Sequence, residues 1–396
     1  MLHTPLYSPL PNVRSIVVLR PNAIGDFMFA LPALHALRQT YPKAKIVLLG
    51  KQWHADFLNG RPGPVDKVIV MPPVPGVGTP IDAEVDPEPN RRFVAAMREA
   101  QFDLAIQMYG GGRYSNAYAL SLGARLTIGL KTPDAAPLDR WLPYGEIANR
   151  RLELLQVAAL AGAVPVLRDS EITVTENDRQ EAARVMPPTP GERIVILHPG
   201  ATDVRRHWPA ERFAAVGDML ASKGATIVIS ATGAEAHLAH TIVNQMEHQA
   251  INLTDQLSLP ALCGLLERAV MMVSNDTGPL HLALATGTPA VGIFWLTNLL
   301  ESGPIRQDLL RPALSVQAHC PVCGVSNLKH RCEHDVCFVD DVSLEKVAGM
   351  ASELFDEVVS SDQPVAAVPA PAPHLAYHQQ GPRHNGAGSG QAGPSA

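Results

Sequence analysis

One stretch late in the chain, Met271–Trp295, constrains the fold more than any other. It begins with a short apolar run typical of a buried strand and ends with a second apolar run from Ala290 onward. Between them lie a polar turn and then Pro279, a residue that suits the first turn of a helix. The pattern predicts a βαβ unit with a very short helix.

The turn of this unit carries polar groups suited to a ligand. Asp276 supplies a carboxylate, Thr277 a hydroxyl and Gly278 a backbone N–H, and His281 follows about one helical turn later. Such a turn lies at the carboxyl end of a parallel strand, where open α/β sheets bind their ligands. Because a helix N-terminus favours negative charge, the residues by themselves predict a phosphorylated ligand here.

The same stretch resembles the nucleotide-sugar signature of glycosyltransferase family 9, the lipopolysaccharide heptosyltransferases. That signature has the form D-T/S-G-x-x-H-x-A-x-A-x-G-x-P. The matching residues are Asp276, Thr277, Gly278, His281, Ala283, Ala285, Gly287 and Pro289. The resemblance implies an α/β protein of GT-B fold, in which two Rossmann-like domains with parallel sheets face each other across a central cleft.

A second motif lies near the start of the chain. The β-branched run Ser15–Arg20 predicts a buried strand, and Gly25 and Asp26 precede a helical pattern from about Phe27 to Tyr41. From the residues alone, Asp26 is either the N-cap of that helix or a general base that points into a cleft. The sequence RPNAIGD, followed by F-x-x-A-L-P-A-L, resembles the opening of the family. That resemblance implies that Asp26 is the base and that Arg20 and Gly25 lie on the acceptor side.

The segment HPGATDVRRHWP also resembles the family, whose usual form has Lys where this chain has Arg206. Thr202 occupies a matching hydroxyl position. Arginine keeps the positive charge but offers a wider, forked set of donors, and either residue would offset the charge of a diphosphate. The alternative is a solvated arginine pair at the surface. Trp208 is expected to pack in the core.

Two further site residues rest on shorter patterns. Glu235 resembles a family carboxylate near the nucleotide, but an acidic residue is also common at the N-terminus of a helix. Arg113 ends a glycine-rich run that is either a flexible loop or an acceptor-side loop contacting an anionic sugar. Both alternatives stay open for each residue.

Strands alternate with helices through most of the chain, which predicts parallel, doubly wound sheets. Because 396 residues exceed one ordinary core, we expect two domains. The predicted parts are a loose arm at 1–14, an acceptor-side domain at 15–185, a nucleotide-sugar-binding domain at 186–345, an amphipathic helix at 343–360 that crosses back onto the first domain, and a disordered tail at 361–396.

Four of the five cysteines cluster after the signature unit, in the spacing C-x2-C-x8-C-x4-C. They are Cys320, Cys323, Cys332 and Cys337, with His319, His330 and His334 among them. Four thiolates would suit a structural zinc ion, but the second pair is not C-x2-C. Reduced thiols and a local disulfide therefore remain alternatives, and a catalytic role is not expected.

Composition narrows the functional classes. A formal net charge of −6 argues against general nucleic-acid binding. The sequence shows no apolar run as long as a membrane span and no signal-peptide core, so the expected location is cytoplasmic. Peripheral contact with the cytoplasmic face of the inner membrane is left open.

The resemblance implies transfer of a heptose from ADP-heptose to the lipopolysaccharide inner core or a lipid A precursor, with Asp26 as general base. Arg206, Thr202 and the turn at Thr277 would stabilise the leaving diphosphate, while Asp276 and His281 orient the sugar. No D-x-D motif is evident, so we expect inversion without a metal ion or cofactor. The alternatives are another nucleotide sugar or acceptor, and a catalytically silent nucleotide-sugar-binding protein.

Overall fold

The computed structural model describes residues 7–306, 308–328 and 332–360. It contains two six-stranded parallel sheets, each flanked by helices. The predicted disordered tail at 361–396, the first six residues of the predicted arm and His330 lie outside the described residues. In that part of the chain, no helix is long and apolar enough to cross a membrane.

The first sheet has the strand order β3-β2-β1-β6-β7-β8, with every neighbouring pair parallel. The elements of this half are β1 (Ser15–Leu19), α1 (Ile24–Thr40), β2 (Lys45–Gly50), α2 (Gln52–Leu58), β3 (Lys67–Val70), the short pair β4 (Val74–Pro75) and β5 (Gly78–Thr79), α3 (Glu88–Glu99), β6 (Leu104–Gln107), α4 (Ser115–Ser121), β7 (Leu126–Lys131), β8 (Arg140–Pro143) and α5 (Arg150–Leu160).

The second sheet repeats this order as β11-β10-β9-β12-β13-β14, again all parallel. The elements that follow α5 are α6 (Glu176–Val185), β9 (Ile194–His198), α7 (Ala210–Ser222), β10 (Thr226–Ile229), α8 (Ala236–Gln245), β11 (Ala250–Asn252), α9 (Leu259–Arg268), β12 (Met271–Asn275), α10 (Gly278–Thr286), β13 (Ala290–Trp295), α11 (Leu296–Ser302), β14 (Leu310–Ser315) and α12 (Leu344–Ser360). Single turns of 3₁₀ helix lie at Val204–Arg206 and Gly233–Glu235.

This strand order confirms the predicted doubly wound architecture and determines where ligands bind. In each sheet the order reverses at one place, between β1 and β6 in the first and between β9 and β12 in the second. Ligands of open α/β sheets bind outside the carboxyl ends of the strands at such a switch point. The loops after these four strands are therefore the structural candidates for the site.

The central strands formed as expected because their apolar runs are buried on both faces. Residues 16–19 and 194–197 are at most 1% exposed. The edge strand β8 is not evident from the sequence, since the four residues of Arg140–Pro143 alternate between partly buried and exposed positions instead of being buried on both faces. Pro32 lies inside α1, where it neither begins nor ends the helix.

The last described helix, α12, corrects one expectation. Its buried residues, including Leu354 and Phe355, join the hydrophobic core formed by α7 and the second sheet. Lys223, which directly follows α7, pairs with Asp356 at 2.6 Å. The helix therefore packs on the second half rather than crossing back onto the first domain, because its apolar face matches the surface of β12–β14 and α7. The domain limits at 185 and 345 stay a prediction.

The two halves meet where α1 and α10 begin, and glycine permits their close approach. A Cβ atom on Gly278 would lie 2.3 Å from Cγ2 of Ile24, and one on Gly25 would lie 3.3 Å from Cα of Gly278. Real Cβ atoms do not approach as closely as 2.3 Å, and 3.3 Å is tighter than most real contacts, so a side chain at Gly278 would displace Ile24 or the turn. Glycine at these positions therefore sets the spacing across the cleft.

We expect Gly278→Ala to lower the free energy of unfolding by about 1–3 kcal/mol, the usual cost of overpacking. The matched control is Gly349→Ala on α12, where a Cβ would meet open space and should stabilise the helix by about 0.5–1 kcal/mol. Urea unfolding of both variants measures the difference. Equal stability of Gly278→Ala and the wild type would show that the two turns do not restrict each other.

His54 makes stability depend on pH. Burial, together with the charges of Lys51 and Arg20, lowers the pKa of His54 to about 3 from its ordinary 6.5. Between pH 6.5 and about 3, His54 binds a proton in the unfolded chain but not in the folded chain. The free energy of unfolding therefore falls as the pH falls. Lowering the pH from 7 to 5 should cost about 2 kcal/mol through this residue. His54→Asn should lessen that loss in urea unfolding, whereas His240→Asn, at an exposed position, should not.

Candidate active site

A cavity of about 740 Å³ lies between the carboxyl ends of the two sheets. It receives the loop after β1, the loop after β9 and the turn between β12 and α10. The predicted site residues that line it are Gly25, Asp26, Thr202, Arg206, Glu235, Asp276, Thr277, Gly278 and His281. The tertiary structure thus brings three separate motifs to one space.

Asp276 is the centre of a buried polar cluster. Its carboxylate accepts hydrogen bonds from Nη1 of Arg206 at 3.1 Å, Nε2 of His281 at 3.0 Å and Oγ of Ser302 at 3.0 Å. Nη1 of Arg206 also donates to the backbone oxygen of Asp276 at 3.0 Å. The carboxylate therefore holds three side chains in place at the start of α10.

Electrostatics keep this cluster in a defined protonation state. Burial by itself raises the pKa of Asp276, but hydrogen bonding and charge from His281 and Arg206 outweigh it and hold the pKa below its usual value. Burial lowers the pKa of His281, and this exceeds the opposing effect of Asp276. Asp276 is therefore an ionised carboxylate and His281 a neutral imidazole, whose Nε2 donates the hydrogen bond to Asp276.

Two nitrogen atoms in the cluster have no hydrogen-bond partner among the described residues. They are Nε of Arg206 and Nδ1 of His281, and both are buried. The ring of His281 also meets the ring of Phe29 edge to face, with centroids 4.7 Å apart. Buried polar atoms are seldom left unsatisfied in folded proteins, so both nitrogen atoms are candidates for contacts with ligand or water.

Asp26 enters the cavity from α1 and is held through its backbone. The buried guanidinium of Arg20 donates to the backbone oxygen of Asp26 at 2.6 Å and lies 3.4 Å from its carboxylate. The N-cap of α1 is Ala23, so Asp26 is not the helix cap. Its side chain is 41% exposed, as a general base that receives a proton from a bound substrate requires.

Arg20 does not line the cavity, and its role is to position Asp26. Burial lowers the pKa of Arg20, although the charge of Asp26 opposes the shift. Its guanidinium also donates to the backbone oxygen of Met108, at the end of β6. Arg20 therefore ties α1 to the loop after the neighbouring strand.

Glu235 lies at the N-terminus of a helix, as one interpretation expected, and it also lines the cavity, while its contact with a nucleotide stays a prediction. Its carboxylate accepts hydrogen bonds from the backbone N–H of Thr232 at 3.0 Å and from the Thr232 hydroxyl at 2.8 Å, which caps the turn before α8. The same carboxylate lies beside Gly200, where a Cβ would come within 2.0 Å of Oε1. Gly200 therefore leaves room for the carboxylate in the wall of the cavity, with exposed Thr202 on the same loop.

The cavity also contains residues that the sequence analysis missed. Arg150, at the start of α5, forms ion pairs with Glu153 at 2.9 Å and Glu301 at 3.2 Å. Burial raises the pKa of Glu301, despite the nearby Arg150. Ser302 completes the Asp276 cluster. The only sequence features near Arg150, Glu301 and Ser302 are the Asn149 cap of α5 and the polar end of α11. Neither feature shows that these two helices meet at the cavity.

Arg113 lies elsewhere. It is exposed, pairs with Asp134 at 3.3 Å and lines a second cavity with Tyr114 and Arg91. The structure thus does not bring it together with the other predicted site residues. Trp208 is fully buried and its indole N–H donates to the backbone oxygen of Val342, which confirms the expected packing role.

Two doubly wound domains with a cavity between their switch points form an architecture of GT-B type. Within that class, the chain belongs to glycosyltransferase family 9 (heptosyltransferase), whose family model matches residues 90–320, more than half of the chain. That range includes the second sheet and the Asp276 cluster. Asp26 lies before it.

Curated relatives agree with this assignment. The chain is 20% identical over 312 residues to the lipopolysaccharide core heptosyltransferase OpsX of Haemophilus influenzae, which covers 76% of this chain and 84% of the relative. It is 24% identical over 300 residues to lipopolysaccharide heptosyltransferase 1 of Pseudomonas aeruginosa, covering 72% and 79%.

Solved structures show the same fold. A family 9 glycosyl transferase from Veillonella parvula has a TM-score of 0.70 at 21% identity, covering 87% of this chain and 97% of that one. E. coli ADP-heptose lps heptosyltransferase II has a TM-score of 0.67 at 16% identity, covering 87% and 99%.

Proposed function

We propose that this glycosyltransferase moves a heptose from ADP-heptose to the lipopolysaccharide core at the cytoplasmic face of the inner membrane. The observation that carries the proposal is the shared cavity, where Asp26 from the first half faces the Arg206–Asp276–His281 cluster from the second. The names of the relatives supply the sugar and the acceptor.

The reaction divides between the two walls of the cavity. Asp26 takes the proton from an acceptor hydroxyl, whose oxygen forms a bond to the anomeric carbon of the donor. The bond from that carbon to the diphosphate breaks on the opposite face, and ADP leaves with the electron pair. Attack opposite the leaving group inverts the anomeric configuration.

The second half stabilises the leaving group. Arg206 supplies positive charge, Thr202 a hydroxyl, and the N-terminus of α10 backbone N–H groups at Thr277 and Gly278. Because Asp276 already holds the guanidinium of Arg206 in place, this donor needs little reorganisation as charge develops. We propose that the reaction proceeds by this route without a metal ion.

The remaining residues orient the sugar. Nδ1 of His281 and the carboxylate of Asp276 offer an acceptor and a charge at the cavity wall where the two halves are closest. Asp276 is already engaged by three donors, so it serves the donor side and not as the base. Burial raises the pKa of Asp276, but hydrogen bonding and charge from His281 and Arg206 outweigh this effect and keep the carboxylate ionised.

The test is transfer by the purified protein from ADP-, UDP- and GDP-sugars to heptose-deficient lipopolysaccharide, with product mass as the readout. A gain of one heptose with ADP-heptose alone would support the proposal. A gain with another donor would overturn the heptose assignment but retain the enzyme class. Binding of ADP-sugar without transfer to any offered acceptor would count against this acceptor and favour a silent binder.

A further inference from the structure

The loop after β14 brings four metal-binding side chains together. The ligand atoms of Cys320, Cys323, Cys332 and His334 all lie within 4.8 Å of one another. We propose that these residues bind one structural zinc ion and that the bound ion holds the donor-binding loop of Arg206 in place. Three thiolates and one imidazole form one of the usual tetrahedral zinc sets.

The backbone already has the shape that such a site requires. The Cys320–Gly324 segment turns tightly, since the N–H of Gly324 donates to the backbone oxygen of Cys320 at 2.9 Å and the N–H of Cys320 donates to the oxygen of Val325 at 2.9 Å. Gly324 has a φ of +70°, which favours glycine. A bridge between His319 and Ser326 closes the base of the turn, so both thiols project from one small loop.

A buried atom in the cluster points independently to a ligand. Nδ1 of His334 is buried and has no hydrogen-bond partner among the described residues. Burying a polar atom without a partner costs free energy, and a metal ion would remove that cost. Cys332 is brought beside it because its backbone N–H donates to Oδ1 of Asn327 at 3.0 Å.

Cys337, the fourth cysteine of the sequence motif, lies outside this cluster. Its thiol donates to the backbone oxygen of His207 at 3.0 Å. The ligand set is therefore three cysteines and a histidine rather than four cysteines. This difference provides a test, since removal of Cys337 should leave the metal bound while removal of Cys323 should not.

The segment that carries the cluster also contacts the donor loop on both sides of Arg206. The N–H of Phe338 donates to the backbone oxygen of Arg205 at 2.7 Å, and the guanidinium of Arg205 lies 5.4 Å from the Phe338 ring centroid. The Cys337 thiol holds His207 from the other side. A metal ion that joins Cys320 and Cys323 to Cys332 and His334 would therefore hold the neighbouring residues 337–338, and through them the backbone of Arg206.

Metal binding displaces the thiol protons as the sulfur–metal bonds form, so no oxidant is consumed. The first experiment measures zinc and iron by mass spectrometry of the purified full chain, together with the visible absorption of the cobalt-substituted protein. We expect about one zinc per chain and a cobalt spectrum with thiolate charge-transfer bands. A chain without metal and with a Cys320–Cys323 disulfide would overturn the site, and iron in place of zinc would overturn the choice of metal.

Variants separate the ligands from their neighbours. The double variant Cys320→Ser/Cys323→Ser and the single variant His334→Ala should lose the zinc, whereas Cys337→Ser and buried Cys263→Ser should retain it. Circular dichroism identifies any variant that fails to fold. Zinc retained in the double variant, or lost only together with Cys337, would contradict the proposed ligand set.

The effect on the donor loop rests on the proposed function, so it has its own readout. ADP affinity by calorimetry should fall about tenfold in the double variant, as for other residues that act through a neighbour. Unchanged ADP affinity in a folded, zinc-free variant would overturn the positioning role. Failure of the wild type to transfer heptose would overturn the proposed function and leave the metal result intact.

Discussion

Asp26→Asn should lower the turnover number by about 10²–10⁴-fold, the usual contribution of a general base. Asparagine keeps the size and one oxygen of the side chain but cannot accept the proton of the acceptor hydroxyl. The fold should persist, because Arg20 holds residue 26 mainly through its backbone oxygen. Steady-state transfer with saturating donor measures the change.

Donor binding provides the control for this variant. Affinity for ADP, measured by calorimetry, should stay within about twofold of the wild type, since the proposed diphosphate contacts all come from the other half. Asp82→Asn is the matched control, because Asp82 is an exposed carboxylate outside the cavity, and it should change neither quantity. Wild-type turnover in Asp26→Asn would remove Asp26 from the mechanism.

Arg206→Ala should lower kcat/KM for the donor by about 10²–10³-fold, the usual loss when a charge-stabilising donor is removed. In the proposed mechanism the guanidinium offsets the charge of the diphosphate, and in the structure it supports Asp276 through two hydrogen bonds. Its side chain is only 20% exposed, so its interactions are weakly screened. Alanine removes the charge and leaves the Asp276 carboxylate with fewer donors.

Arg206→Lys separates charge from shape at this position. Lysine keeps the positive charge but lacks the planar, forked group that could contact Asp276 and a diphosphate together. We therefore expect kcat/KM for the donor to fall by about tenfold. Arg92→Ala, at an exposed position on α3, is the control and should behave as the wild type. If Arg206→Ala and Arg92→Ala have the same kcat/KM, Arg206 does not contact the donor.

Local sequence patterns were sufficient for the fold class and for part of the site. Apolar runs indicate the eight inner strands of the two sheets because burial on both faces requires them, and the polar turn before Pro279 marks the start of α10. The turn at 276–281 is evident from its own residues, as is the turn at 25–26, whereas the expected role of Asp26 as the base comes from the family resemblance. Each is a strand-to-helix turn whose chemistry is visible within a few consecutive residues.

Other site residues could be identified only from the tertiary structure, because their roles depend on contacts between residues far apart in sequence. Ser302 joins Asp276, and Arg150 pairs with Glu301, across long separations in sequence, so no local pattern marks them as site residues. Arg113 belongs to a different cavity because its loop turns toward Asp134.

The cysteine loop and α12 show the same division. Spacing suggested four cysteines as one set, but the fold directs Cys337 to His207 and brings His334 to the other three. The amphipathic pattern of α12 correctly predicted a helix, but it did not indicate which surface of the protein the helix covers. Periodicity and turn chemistry act over a few residues and determine the elements, whereas packing between elements determines which side chains meet.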